Sequence, residues 1–143
     1  IHGSLSVAPS GNNRILVRAE LGAIATNSYD LFPPSLRFYA GGDQSLRGYG
    51  YKEIGDYVDD LNLGGRYLAV GSVEYEYWIL PEWAIAGFVD AGDAFDQDPN
   101  LNIGAGLGAR WRSPIGPVRI DVAYGFDGPD PGWALHFTLG ADL

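Results

Sequence analysis

Cysteine and methionine are both missing from the 143 residues. Without cysteine there is no disulfide, no thiolate nucleophile and no cysteine-ligated zinc site. Without methionine, even at position 1, Ile1 is not a natural translation start, so the expectation is a piece of a larger protein. The lack of a signal peptide in such a piece says nothing about secretion. Basic residues are scarce: nine Lys and Arg stand against 18 Asp and Glu, a formal charge of −9. That balance opposes nonspecific binding to phosphates, and no nucleic-acid partner is expected. No run approaches the ~18 apolar residues of a membrane-spanning helix. Helix-period segments, faithful internal repeats and low-complexity linkers are missing as well.

What is present is alternation. From Trp133 to Leu143 the odd positions Trp133, Leu135, Phe137, Leu139, Ala141 and Leu143 are apolar, with Ala134, His136, Thr138, Gly140 and Asp142 between them. From Val118 to Phe126 the apolar face is Val118, Ile120, Val122, Tyr124 and Phe126, against Arg119, Asp121, Ala123 and Gly125. From Asn102 to Arg112, Ile103, Ala105, Leu107, Ala109 and Trp111 oppose Asn102, Gly104, Gly106, Gly108, Arg110 and Arg112. Val70–Ile79 places Glu74 and Glu76 on one face, Trp83–Phe95 places Asp90 among small residues, and Arg14–Ala25 is a longer strand. Gly3–Ala8 reads as the stump of one more. Strict alternation over ~9–11 residues marks strands with one apolar face, long enough to cross a bilayer when tilted. A mean hydropathy of −0.06 does not oppose this, because lipid-facing and lumen-facing residues average out.

The connections alternate in length. Ile79–Trp83 and Ser113–Pro117 are tight and proline-marked, Asp96–Asn100 and Asp127–Gly132 are longer and acidic, and about 40 residues separate Asn27 from Arg66. Short turns at one end and long loops at the other match an outer-membrane barrel. Tyr77, Trp78, Trp83, Trp111 and Trp133 lie near strand ends, where an interfacial aromatic girdle sits. About seven strands are too few for an even-numbered closed barrel, and their sheet has two raw edges. The fold class is therefore all-β, the C-terminal portion of an antiparallel up-and-down transmembrane β-barrel. Residues 1–26 hold the strands before the long loop, 27–66 the loop, and 67–143 the last five strands.

Inside the loop, Arg37–Tyr51 is rich in glycine and aromatics and carries Arg47 with few neighbouring charges. Gly41, Gly42, Gly48 and Gly50 permit sharp turns or close approach to another wall, and Tyr49 supplies rigid contact area with a polar tip. An arginine so placed calls for a polar cavity and an acidic partner. Glu74 and Asp90 stand on the lumen-facing parity of consecutive strands.

The string FYAGGDQSLRGYGY resembles the RGY loop of the BamA/TamA superfamily of outer-membrane assembly factors, and is most similar to its translocation and assembly module (TamA) branch. Gly71–Tyr75, Phe88–Gly92 with the FxD residues Phe88 and Asp90, Ala109–Asp121 and the ending His136–Leu143 extend the resemblance over nearly the whole chain from Arg14. The resemblance implies about six or seven strands of a 16-stranded barrel, with periplasmic modules absent from this chain and the long loop folded into the lumen. It implies that Arg47, Gly48 and Tyr49 form the loop motif, and that Glu74 and Asp90 are its wall partners. It further implies a seam strand with Trp133, Leu135, Phe137, Leu139 and Leu143 that opens sideways. The implied function is noncatalytic insertion of outer-membrane proteins, particularly autotransporter-type barrels, in the bacterial outer membrane. Lipid, unfolded outer-membrane clients and a TamB-like partner are the implied company, without cofactor or metal. The alternatives are a polypeptide-secreting or lipid-conveying pore of the same superfamily, and the barrel of a lipase-fused secretion protein.

Weaker signals are set beside these. The stretch Asp90–Asp98 has the look of a calcium loop without the required spacing, and reads as an acidic solvated loop. Asp56, Asp59 and Asp60 either meet divalent cations or keep a surface loop soluble. His2 and His136 are isolated, supporting neither a metal site nor a triad, and His136 reads as lumen-facing. Gly104, Gly106 and Gly108 leave room for the loop and ease sheet curvature. The Arg47 contact either pins the loop or gates it. Lysine at the lipid-facing Val122 is expected to cost ~2–4 kcal/mol, and the same change at the lumen-facing Ala123 much less.

Overall fold

The computed structural model describes residues 2–25, 31, 33–42, 45–50, 52–55, 57–59, 61–127 and 131–140, with 2–10, 57 and 58 described by backbone alone. The expectations for Tyr51, Asp56, Asp60 and Leu143 fall outside the described residues.

The strands are β1 His2–Ser10, β2 Asn13–Ala23, β3 Tyr57–Val58, β4 Leu61–Asn62, β5 Tyr67–Trp78, β6 Trp83–Phe95, β7 Asn102–Ser113, β8 Gly116–Gly125 and β9 Gly132–Leu139. Seven of them form one antiparallel sheet in the order β1-β2-β5-β6-β7-β8-β9, and β3-β4 is a small hairpin within the long loop. From β2 to β9 the registers run without a slip, for example Asn13↔Tyr77 through Ala23↔Tyr67 and Tyr67↔Phe95 through Trp78↔Ala84. A one-residue slip would exchange the two faces, so the continuous register keeps every strand's apolar set on the same side.

That side is exposed: Val73, Ile85, Val89, Leu107, Ile120, Val122, Leu135, Phe137 and Leu139 all point outward. Aromatic pairs mark its two ends. Trp83 stacks on Trp111 with centroids 5.4 Å apart beside the tight turns, and Tyr67–Phe95 and Tyr124–Trp133 lie 5.7 Å and 5.1 Å apart at the loop end. Tyr67 and Tyr77, at opposite ends of β5, are separated by ~33 Å along a strand, or ~25 Å across a membrane at a ~40° tilt. The inner face carries Ser72, Glu74, Glu76, Asp90, Arg110 and Asp121, all buried.

The loop between β2 and β5 fills the concave side. Reciprocal Ala40/Ile54 and Phe38/Gly65 backbone bonds of 2.7–3.0 Å make it a compact double-stranded excursion. Its core, Ala40, Leu46, Tyr49 and Ile54 with Phe38, packs on Leu68, Val70 and Ala94 of the wall.

Three expectations are corrected. Among the described residues the strand expected from Trp133 onward ends at Leu139, because Gly140 has φ +109, a turn conformation that glycine readily adopts, and its N–H donates to the Pro117 carbonyl at 2.9 Å. Asp93 is not solvated: it is buried, and accepts from Asn100 N–H at 2.7 Å and the Asn102 amide at 3.3 Å, which fixes the β6–β7 connection. Ala123 is wholly buried, so the lumen at its height is packed with protein, and a lysine there is now expected to cost more than one at Val122. Among the described residues β1 and β9 remain the outer strands of an open sheet.

Candidate functional site: the loop arginine and its seat

The turn Leu46–Tyr49 is closed by Tyr49 N–H donating to Leu46 O at 3.1 Å, and the excursion around it by Gly42 N–H donating to Tyr49 O at 3.0 Å. It delivers Arg47 against the wall with no accessible surface left. The Arg47 Nε and Nη2 donate to the two Asp90 oxygens at 2.8 and 2.9 Å, a planar fork on a carboxylate, and the Arg47 backbone N–H adds a third bond to Asp90 at 3.0 Å. Nη1 donates to Glu74, and Nη2 also reaches Ser72 Oγ at 3.1 Å. Ser72 lies directly across the β5/β6 ladder from Asp90 and donates to it at 2.6 Å. The Phe88 ring lies beneath the guanidinium, 3.4 Å from its carbon. Burial acts to lower the Arg47 pKa, but the bond and charge of Asp90 and the charge of Glu74 outweigh it and raise the value.

Glu74 carries more than one arginine. Its Oε1 accepts from Arg110 at 2.7 and 3.1 Å, and its Oε2 from Arg119 at 3.2 Å. Arg110 and Arg119 sit directly opposite each other on β7 and β8, a like-charge pair that is unfavourable alone. Bonding both to one carboxylate removes the conflict, and Asp121 accepts from Arg110 at 2.5 Å. Glu74, Asp90 and Asp121 thus form one network with three guanidiniums, joined by the buried Glu76 at 3.5 Å from Arg110, with Arg47 as the member the loop supplies.

Beside this charged seat the contact is backbone on backbone. A Cβ on Gly48 would stand 2.8 Å from the backbone of Gly125, and a Cβ on Gly104 would stand 3.0 Å from that of Gly48. Gly104 and Gly125 are themselves cross-strand partners. Gly48 is therefore required for close approach rather than for a left-handed turn; the positive φ values in this stretch belong to Gly41 and Gly42. Of the other two lumen glycines, Gly106 makes space for the Phe88 ring and Gly108 for the Arg110–Asp121 pair, so only Gly104 admits the loop. The Tyr49 hydroxyl donates to Ile103 O at 2.8 Å and accepts from Asp127 N–H at 3.0 Å, and burial raises its pKa.

The sequence matches the Omp85 superfamily domain over residues 4–142. The chain belongs to the Omp85 superfamily. It is 33% identical over 139 residues to "Outer membrane protein assembly factor BamA" of Nitratidesulfovibrio vulgaris, covering 86% of this chain and 17% of that protein. It is also 30% identical over 122 residues to "Outer envelope protein 80, chloroplastic" of Arabidopsis thaliana, covering 76% of this chain and 15% of that one. The chain thus spans less than a fifth of either relative. It is an outer-membrane β-barrel segment, and its apolar outward face meets the lipid.

The structure brings together Arg47, Glu74, Asp90 and Phe88, with Gly48 and Tyr49 on the adjoining wall. Trp133, Leu135, Phe137 and Leu139 stand apart from them on the outward face of β9. Sequence reasoning did not single out Ser72, Arg110 and Asp121, although all three share the lumen-facing parity of Glu74 and Asp90. Among the described residues no group of three or more His, Asp or Glu is arranged to hold a metal ion.

Proposed function

We propose that this chain is part of an assembly factor that inserts and folds other outer-membrane proteins, without catalysing a covalent reaction. The observation that carries the reading is the 33% identity with a protein named as an outer-membrane assembly factor, over most of the chain. The geometry supports it in one respect. β9 is an outer strand of the described sheet, and read as the seam it would on opening present a backbone edge able to template a client strand by hydrogen bonding, with Trp133, Leu135, Phe137 and Leu139 turned to lipid. Arg47, Glu74 and Asp90 then hold the loop that keeps the lumen filled while the seam works.

The finer reading, a TamA-like protein serving autotransporter-type clients with a TamB-like partner, rests on the loop string FYAGGDQSLRGYGY and the ending HFTLGADL. The full-length protein reconstituted in lipid vesicles tests the general reading. It should accelerate the appearance of folded, protease-resistant client barrel over empty vesicles. Folding at the empty-vesicle rate would defeat it. Preference for an autotransporter barrel over a porin among the clients separates the finer reading from the general one.

A further inference from the structure

Arg47 is held from both ends. Its guanidinium is bound by β5 and β6, while its backbone carbonyl points the other way and accepts a hydrogen bond from His136 Nε2 on β9 at 2.6 Å. A carbonyl can only accept, so Nε2 carries the proton, in the neutral ring or in the imidazolium. Between β5 and β9 lie three strands, so a flat sheet would hold the strands bearing Ser72 and His136 ~19 Å apart, far more than one arginine spans. The contact exists because the wall curves around the loop, and Arg47 is a chord across that curve. β9 pairs with β8 along one side, from Val118↔Leu139 to Gly125↔Gly132, and on its lumen face His136 adds an anchor to the loop.

We propose that His136 is a positioning residue that ties the edge strand to the seated loop, so that unseating Arg47 and loosening β9 are one event. This rests on the reading of β9 as the seam. It assigns the loop motif a task beyond filling the lumen: it reports to the strand that must open.

The test is amide hydrogen exchange on the full-length protein in detergent, without client, with a folded heat-modifiable band required of every variant. His136→Ala should raise exchange of the β9 amides about three- to tenfold, the loss of one hydrogen bond, while β6 amides stay protected. His136→Gln, which keeps an N–H donor, should recover most of that protection. Arg47→Ala should also loosen β9, and Arg47→Ala with His136→Ala should loosen it no further than Arg47→Ala alone. Unchanged β9 exchange in His136→Ala or in Arg47→Ala overturns the proposal, as does simple multiplication of the two effects. Because no client is present, coupling that persists in a protein unable to insert clients defeats the functional reading alone. Lost coupling in an active protein defeats only this one.

Discussion

The loop motif rests on two neighbouring surfaces built in opposite ways. On β5 and β6 its arginine is gripped by side chains, with Asp90, Glu74 and Ser72 around the guanidinium and Phe88 beneath it. On β7 and β8 backbone meets backbone, Gly48 lying against Gly104 and Gly125, with the Tyr49 ring and its bond to the Ile103 carbonyl alongside. The first surface supplies energy and a choice of partner, because a buried guanidinium tolerates little except a matched carboxylate. The second supplies proximity, without which the first could not be reached.

The largest effect should come from breaking the charged surface. Arg47→Ala leaves buried carboxylates without their partner, and removing one member of a buried pair typically costs ~3–5 kcal/mol. Limited proteolysis of the loop and denaturant titration should both register it. Asp90→Ala should cost a similar amount and the double variant clearly less than the sum, whereas additive effects would show that the two are not coupled. Arg47→Lys should recover part of the loss, since a point charge cannot reproduce the fork.

Next comes a lysine at the buried Ala123, compared with one at Val122 on the lipid face. Lysine at the lipid face costs ~2–4 kcal/mol near mid-membrane, and at Ala123 it must also displace packed protein, so Ala123→Lys should unfold at the lower urea concentration. Reversed midpoints would mean the lumen there is open to water.

On the glycine surface the penalties should be smaller and steric. Gly48→Ala forces backbone apart and should cost ~1–3 kcal/mol, as overpacking does. Gly104→Ala, whose Cβ would stand slightly farther from its neighbour, should cost less. If both alanines are silent in thermal unfolding and loop proteolysis, the close approach is not required. The smallest effect belongs outside both surfaces. The exposed Arg112, with its guanidinium carbon 3.8 Å from the Trp78 ring centroid, should yield ~0.5–1 kcal/mol on replacement by alanine.

The strands were legible because lipid and lumen demand different residues at every second position, a pattern that local sequence carries by itself. Glu74 and Asp90 lay on the same lumen-facing parity, and the family resemblance singled them out. Arg110 and Asp121 carried the identical signal, but their significance depends on Glu74 lying two ladders from the first and three from the second, which no local pattern records. The use of Gly104 was less legible still. Gly104, Gly106 and Gly108 look alike in sequence, and each makes room for something different because their neighbours come from distant parts of the chain. The end of β9 at Leu139 escaped because hydrophobic alternation continues past a glycine whose backbone has already turned.

The three-glycine contact also limits how such proteins can be recombined. A loop carrying any side chain at position 48 needs a wall hollowed to receive it, and a wall with a side chain at 104 or 125 needs a loop that stands farther off. Loop and wall therefore fit only as a matched set. A chimera that grafts this loop onto another barrel should seat it only if β7 and β8 travel with it, even when the recipient already offers the two carboxylates.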